Sequence, residues 1–375
     1  MSGRPGFTVE YLEPVEIEAE PLPGEFSPSR LRRSLLAFAV VVLVVVAAVV
    51  LVPGLGSLRS SFMGAQPGWL AVAAVLQLGS CVAYVFVFRG VFCRRMSWRT
   101  STEIGLSELA ANSVFSIGGA GGLALGAWIL RRGGLAADFI ARRTVAFFLL
   151  TSLANVGFLL LGGVALTTDV LAGSPSLLLG LVPAVAALLA IALALGARRL
   201  AGALARRSMR ARLVAGASAL SDGVDEALRL LRTGDPAIMA GAAGYMLFDV
   251  AMLGVCFAAF GNDVPPVGVL LVAYILGQLG SLIPIPGGIG GVDAGLIGVL
   301  VLYGVDATNA AVAVIAYRGL LLFIPAALGL PALAILRRRL RAESHDIAAC
   351  APGESVEVLG RGVVRRPAPF VRSTT

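Results

Sequence analysis

Four ionisable side chains interrupt the apolar stretches of this chain: Glu108, Asp249, Asp293 and Arg318. A charge inside such a stretch is costly, so each of them is a functional candidate by default. We expect Arg318 to neutralise Asp293 or to bind an anionic group, the alternative being a purely structural ion pair. Glu108 and Asp249 are candidate protonation sites for coupled transport; an interfacial Glu and an Asp bonded to backbone are the alternatives.

Two glycine clusters, GGAGG at 118–122 and GGIGG at 287–291, match each other at one fixed offset, which also superimposes Gly126 on Gly295. Paired breaks of this kind mark a binding site in membrane proteins, because unwound backbone is tolerated at membrane depth only where it lines a cavity. A helix that restarts after the break points free N–H groups towards a phosphate or carboxylate. Close packing of helices through small residues is the alternative.

The predicted substrate-binding set joins the clusters, the two prolines before the second cluster and the opposite charges nearby. Each proline breaks a continuous helix, at a cost of about 3 kcal/mol. The set consists of Gly118, Gly119, Gly121, Gly122, Pro284, Pro286, Gly287, Gly288, Gly290, Gly291, Asp293 and Arg318.

The composition is that of an integral membrane protein. Hydrophobic residues make up 58% of the chain and charged residues only 14%, against about a quarter charged in soluble domains. The net charge of +8 comes from arginines that lie mostly between apolar stretches, so nucleic acid is not an expected partner. The one histidine, His345, lies in a polar tail and the four cysteines have no paired spacing, so we predict no disulfide, metal or cofactor.

The apolar stretches predict an all-α membrane protein, a polytopic helical bundle. Long spans are predicted at 35–52, 68–88, 144–166, 176–195, 237–260 and 309–336. Shorter pieces flank the glycine clusters at 104–117, 123–130, 267–285 and 292–303, and we interpret them as Gly/Pro-broken half-helices or re-entrant hairpins.

Arginine-rich loops alternate with loops almost free of positive charge, which predicts that both termini are cytoplasmic. Counted this way, the membrane domain at 34–336 contains two inverted repeats, at 35–166 and 176–336. Cytoplasmic tails are predicted at 1–33, disordered, and at 337–375. The basic cytoplasmic loop at 198–235 is either a surface helix that attracts anionic lipids or an ordinary loop that fixes topology.

The stretch 282–296, together with Tyr303-Gly304-Val305 and Ala316-Tyr317-Arg318, resembles the flippase-like membrane family typified by the membrane region of lysylphosphatidylglycerol synthase. In that family an acid follows the second glycine break, and Asp293 fills this place. The first break departs from the family pattern, because Ile117 and Ala124 stand where a proline and an acid are usual. The resemblance extends over 35–336 and implies lipid translocation or handling; we do not carry over an aminoacylating activity.

The leading hypothesis is a lipid transporter of the bacterial inner membrane, not an enzyme, that moves an anionic lipid headgroup of phospholipid or polyprenyl-phosphate type between leaflets. Membrane lipids are then its partners. One alternative is a membrane enzyme acting on lipid-linked sugars, although the chain has no membrane histidine and no carboxylates at metal spacing. The other is a non-transporting partner of a lipid-modifying enzyme.

Overall fold

The computed structural model describes residues 56–114, 120–167, 181–186, 188–189, 211–282, 290–350, 354–359 and 362–367. It also describes residue 33 of the predicted tail and residues 36, 39–40, 43 and 47 of the first predicted span. The helices are α1 (Gly56–Met63), α2 (Pro67–Phe92), α3 (Trp98–Val114), α4 (Ala120–Arg132), α5 (Ala137–Thr167), α6 (Ala211–Arg232), α7 (Pro236–Ala259), α8 (Val267–Gly277), α9 (Gly291–Leu302) and α10 (Ala307–Ala348). A short antiparallel hairpin, β1 (Glu354–Leu359) and β2 (Gly362–Pro367), follows α10.

Four of the described helices, α2, α5, α7 and α10, are long and apolar enough to cross a membrane. They coincide with four of the predicted long spans, so the prediction of a helical, polytopic membrane protein is confirmed. The described residues of the other two, at 35–52 and 176–195, are helical as well, and the rest of both spans lies outside the described residues. Helix α10 continues past the predicted end at Leu336 to Ala348.

The predicted short pieces form separate helices. In the first half α3 ends at Val114 and α4 begins at Ala120; in the second half α8 passes into a 3-10 turn at Gln278–Leu282, and α9 begins at Gly291. Each glycine cluster stands at one of these helix boundaries, although Gly121 and Gly122 lie within α4 and Gly291 is the first residue of α9. Glycine and proline disfavour continuous helix. Gly118, Gly119, Pro284, Pro286, Gly287 and Gly288 lie outside the described residues.

The two halves of the chain run in opposite directions. Helices α2 and α7, which occupy equivalent places in the two predicted repeats, pack against each other along their length. Gly79 lies against the Phe248 ring, and further along α2 Gly90 lies against the Ile238 side chain. The partner number falls as the α2 number rises, so the two equivalent helices are antiparallel, as an inverted repeat requires.

Packing between the halves is reciprocal. Helix α3 of the first half packs on α10, which closes the second half, and α8 of the second half packs on α5, which closes the first. Both broken pairs, α3 with α4 and α8 with α9, also pack internally. This exchange places both glycine breaks in one bundle instead of two separate units.

The predicted basic loop contains the amphipathic helix α6, which packs against α5. Val224, Ala227 and Leu230 are buried. The Glu226 carboxylate pairs with Arg143 of α5, with Nε and Oε1 3.1 Å apart. The described part of α6 is thus a helix attached to the protein through its apolar face, and both interpretations of the loop, lipid attraction and topology, stay predictions.

A second polar attachment holds the end of α10. Asp346 accepts hydrogen bonds from the Ser97 N–H at 3.0 Å and from the Thr100 hydroxyl at 2.6 Å, while Ile347 is fully buried beside Gly133. Cys93 and Cys350 form a disulfide here, their Cα atoms 5.7 Å apart. The prediction of no disulfide was therefore wrong. The partners are 257 residues apart and meet only because α10 returns to the end of α2, which local spacing does not reveal.

We expect Asp346→Asn to loosen the end of α10. Partial burial opposes ionisation, yet the hydrogen bonds from Thr100 and Ser97 hold the pKa of Asp346 below its ordinary value. A lowered folded-state pKa stabilises the attachment above the unfolded value of about 4, and this contribution is lost as the pH falls through the folded-state pKa.

Amide hydrogen exchange around Ile347 should accelerate about tenfold in this variant at neutral pH, since bonds to a charged acceptor contribute about 1.5–3 kcal/mol and this site is partly exposed. Asp306→Asn, at the exposed start of α10, is the control. Unchanged exchange in Asp346→Asn would contradict the assignment.

Candidate functional site

The predicted opposite charges of the second half form an ion pair. Arg318 Nε of α10 lies 2.8 Å from Asp293 Oδ1 of α9. The Arg318 side chain is 9% exposed and that of Asp293 is 22% exposed. The guanidinium therefore lies inside the bundle, and the carboxylate lies at its edge.

The start of α9 explains why glycine precedes this acid. Gly290 has φ of 91°, a conformation that residues with a Cβ rarely adopt. Its N–H donates to Asp293 Oδ2 at 2.7 Å. Asp293 thus caps the helix with one oxygen and binds Arg318 with the other, so that a carboxylate, a guanidinium and a helix N-terminus meet at the end of the second break.

At the first break the acid lies on the helix before the break, α3, whereas Asp293 lies on the helix after the second break, α9. Glu108 of α3 is 1% exposed, and its Oε2 accepts a hydrogen bond from the Tyr84 hydroxyl at 2.8 Å. Its Oε1 lies against Gly126 of α4, where an added Cβ would be only 1.5 Å away. Gly126 is therefore required for this carboxylate to fit between α3 and α4.

Asn112 joins the two helices of the first break. Its Oδ1 accepts a hydrogen bond from the Gly122 N–H at 2.7 Å. The first N–H groups of a helix have no partner within the helix, and Asn112 supplies one across the break. Gly122 has no room for a side chain at this place, since a Cβ would lie 2.5 Å from the Glu108 carbonyl oxygen.

The offset that superimposes the glycine clusters also relates these contacts. It places Gly126 on Gly295 and Glu108 on Gly277, and Gly295 lies against Gly277 just as Gly126 lies against Glu108. The same offset places Asp293 on Ala124. Each half thus has one acid at its break. In the first half the acid, Glu108, lies on the helix before the break, and in the second half the acid, Asp293, lies on the helix after it. Glu108 is therefore the counterpart of the acid that is absent from position 124.

Asp249 lies where the two halves meet. The repeat offset places Ser80 on Asp249 and Gly79 on Phe248, and these equivalent residues face each other between α2 and α7. A pseudo-two-fold axis therefore passes beside Asp249, which is 2% exposed. Its Oδ2 accepts a hydrogen bond from the Tyr274 hydroxyl of α8 at 3.0 Å.

Four tyrosines, three of them buried and Tyr245 half-buried, lie between these acids, and the sequence analysis missed them. The Tyr84 and Tyr245 rings meet at a tilt, with ring centroids 5.5 Å apart, and Tyr245, Tyr274 and Tyr317 lie within electrostatic range of Asp249. Tyr317 precedes Arg318 in α10. The signal was present, because four of the six tyrosines stand in apolar helices and a buried hydroxyl needs a polar partner.

Among the described residues, no group of three or more His, Cys, Asp or Glu side chains is arranged to hold a metal ion. The site is instead a line of acids, tyrosine hydroxyls and one guanidinium through the centre of the bundle. It can exchange protons at carboxylates and hydroxyls, and it presents a cation beside a helix N-terminus. Both capacities suit an anionic group that enters from the second break.

Comparison with known proteins gives one family. The sequence profile described as lysylphosphatidylglycerol synthase TM region matches residues 35–329, which is most of the chain and contains every residue of the site. A search of curated proteins gave no significant match.

Proposed function

The chain belongs to the lysylphosphatidylglycerol synthase TM region family, and from this membership and the site geometry we propose that it moves an anionic lipid headgroup between the leaflets of a membrane. Family membership supports a membrane protein related to lipid metabolism. The step to headgroup transport rests on one observation, the Arg318–Asp293 pair at the glycine start of α9. No covalent bond is made or broken in this proposal.

The physical reason lies in desolvation. A charged headgroup that leaves water loses several kcal/mol of solvation even after the surroundings relax. Arg318 and the first N–H groups of α9 offer replacement contacts to a phosphate. Asp293, which pairs with Arg318 in the structure, would then be displaced in part by the headgroup. The guanidinium would exchange one anion for another and keep an anionic partner throughout.

The inverted halves supply the second requirement. Antiparallel α2 and α7 give a bundle whose two faces are structurally related, and this architecture opens alternately to both sides in other transporters. We propose that the lipid tails stay in the bilayer while the headgroup passes between the two glycine breaks. Phospholipids and polyprenyl phosphates both present the required phosphate.

We propose a bacterial inner membrane as the location, with both termini in the cytoplasm. This orientation predicts the state of the Cys93–Cys350 pair, which is flanked by Arg89, Arg94 and Arg95. Because cytoplasmic thiols are kept reduced, we expect the disulfide of the structure to be the oxidised form of a pair that is reduced in cells. Both cysteines should then be alkylated when intact cells are treated with a permeant maleimide, and the pair should oxidise after lysis in air. Mass spectrometry of the peptides decides this, and a fully oxidised pair in cells would contradict the cytoplasmic orientation.

Reconstitution tests the proposal. Purified protein is placed in vesicles of phosphatidylglycerol and phosphatidylethanolamine that contain a trace of fluorescent phosphatidylglycerol, and dithionite then bleaches the outer leaflet. We expect the protein to expose the inner-leaflet label to dithionite, whereas empty vesicles keep it protected. Labelled phosphatidylethanolamine and a labelled polyprenyl phosphate identify the preferred headgroup. Unchanged protection for all three lipids would refute lipid transport.

A further inference from the structure

Two of the buried acids have no cationic partner. In the part of the chain that the structure describes, neither Glu108 nor Asp249 forms an ion pair, whereas Asp293 is paired with Arg318. Both are almost fully buried. A lone carboxylate in such surroundings is neutralised by binding a proton, because an isolated buried charge is far more costly than a neutral acid.

The surroundings of Asp249 contain hydroxyls and thiols instead of charges. The groups that face it are Ser80 and Cys81 from α2, Tyr274 from α8, Tyr317 from α10 and Tyr245 from its own helix. Its Oδ1 has no partner in hydrogen-bond geometry among the described residues, and neither has the Tyr317 hydroxyl. Asp249 Oδ1 and the Tyr317 hydroxyl, which lies within electrostatic range of Asp249, therefore each have a hydrogen-bonding position left for a proton or a donor.

Glu108 is enclosed in a similar way. Tyr84 of α2 donates to it, and α4 faces it with the glycines Gly122 and Gly126. Helix α10 approaches α3 through Gly329, which lies against Leu106 and Ala110. None of these groups carries a charge, so the Glu108 carboxylate is neutralised in this pocket by binding a proton.

The two acids are parts of one polar line. Glu108 binds Tyr84, whose ring contacts that of Tyr245 at a tilt, and Tyr245 lies one helical turn from Asp249 on α7. Asp249 binds Tyr274 and faces Tyr317, the neighbour of Arg318. The line therefore starts at the first break, crosses the pseudo-two-fold axis and ends at the predicted headgroup site.

We propose that Glu108 and Asp249 are proton-binding sites and that proton movement through them drives the lipid movement proposed above, on which this coupling rests. Each acid forms an O–H bond when it takes a proton from water or from a neighbouring hydroxyl and breaks that bond when it passes the proton on. No group is oxidised or reduced. Protonation of both acids removes negative charge from this polar line, which favours entry of the headgroup phosphate beside Arg318 in exchange for Asp293, and their deprotonation opposes the phosphate's return.

Infrared difference spectroscopy tests proton binding without any lipid assay. The carbonyl band of a protonated carboxylic acid is distinct from the bands of a carboxylate and shifts in deuterium oxide. Between mildly acidic and mildly alkaline pH the purified protein should lose two such buried bands, and it should release about two protons per molecule more than the double variant Glu108→Gln/Asp249→Asn, because other groups of the chain titrate equally in both. Glu108→Gln and Asp249→Asn should each remove one band and about one proton.

Asp138→Asn, which removes an exposed carboxylate at the start of α5, should keep both buried bands. Wild-type protein without a titrating buried acid band would overturn the proposal even if both variants fail to fold. Bands that persist in Glu108→Gln and Asp249→Asn would also overturn it.

Reconstituted vesicles test the coupling. With fluorescent phosphatidylglycerol as the probe, a pH gradient should speed label movement about tenfold in the wild type and leave Asp249→Asn unchanged, since one pH unit is a tenfold difference in proton activity. Equal rates with and without the gradient would overturn the coupling. Loss of label movement when sodium is replaced by N-methylglucamine would also overturn it, because it would show a requirement for sodium. Absence of any lipid movement in the wild type would refute the lipid proposal instead, and the infrared bands would still decide proton binding.

Discussion

Arg318→Ala is expected to stop lipid movement in reconstituted vesicles and to lower the free energy of unfolding by about 3–5 kcal/mol, because it leaves the Asp293 carboxylate without its cation. The guanidinium is almost completely buried and its Nε lies 2.8 Å from the carboxylate. Water reaches the Asp293 carboxylate only from its exposed edge and therefore replaces the lost cation only in part. Dithionite bleaching measures transport, and thermal melting in detergent compares stability with the wild type.

The double variant Arg318→Ala/Asp293→Ala separates function from folding. With both charges removed no carboxylate is orphaned, so the stability should return except for about 1 kcal/mol from the lost Gly290 N–H bond, while transport stays absent. Arg142→Ala, which removes an exposed arginine paired with Asp138, is the matched control and should change neither. Transport at the wild-type rate in Arg318→Ala would show that the pair is only structural.

Gly126→Ala is expected to have the second largest effect. Alanine normally stabilises a helix relative to glycine by about 1 kcal/mol, but here its Cβ would lie 1.5 Å from Glu108 Oε1. The carboxylate must move, and its bond from Tyr84 breaks. We expect a net loss of about 1–3 kcal/mol of stability and loss of the Glu108 infrared band. Thermal melting and the infrared pH titration measure the two effects.

Gly319→Ala is the matched control, because nothing lies within 4 Å of a Cβ at this position of α10. It should be neutral or slightly stabilising. Adding Glu108→Ala to Gly126→Ala should remove the clash, so the two substitutions should be strongly non-additive. Additive losses would mean that Gly126 and Glu108 do not touch.

The apolar stretches predicted the helices well. The spans at 68–88 and 237–260 match α2 and α7 to within a few residues, and the glycine clusters predicted where each half breaks. This success has a simple cause. In a bilayer both the length of a helix and the cost of breaking it are set by local composition.

Contacts between distant segments were less accessible. The Asp293–Arg318 pair was one of the two predicted roles of Arg318, because Asp293 follows the second break, Arg318 lies inside the last span, and charges within apolar segments need partners. The Glu108–Tyr84 and Asp249–Tyr274 pairs depend on which helices pack together, and nothing in local spacing reports that. The Cys93–Cys350 disulfide was not predicted, for the same reason.

The inverted repeat explains part of what was missed. Applied only to glycines, the offset leaves Ala124 opposite Asp293 and suggests that the first half lacks an acid. The contact of Gly126 with Glu108 shows that the acid stands on the facing helix. Both halves of a repeat can therefore have a carboxylate at the break although it lies on the helix before the break in one half and on the helix after it in the other. This difference is visible only from the packing of the helices.

The central claim is that the two breaks border a shared polar passage, and thiol labelling tests it most directly. Ala124 and Ala294 are exposed and follow the two breaks, and each is replaced by cysteine in a variant without the native cysteines. Both should react with a water-soluble, membrane-impermeant maleimide much faster than Val75→Cys, an exposed apolar position in the middle of α2. If both react as slowly as Val75→Cys, the breaks face lipid and the account is wrong.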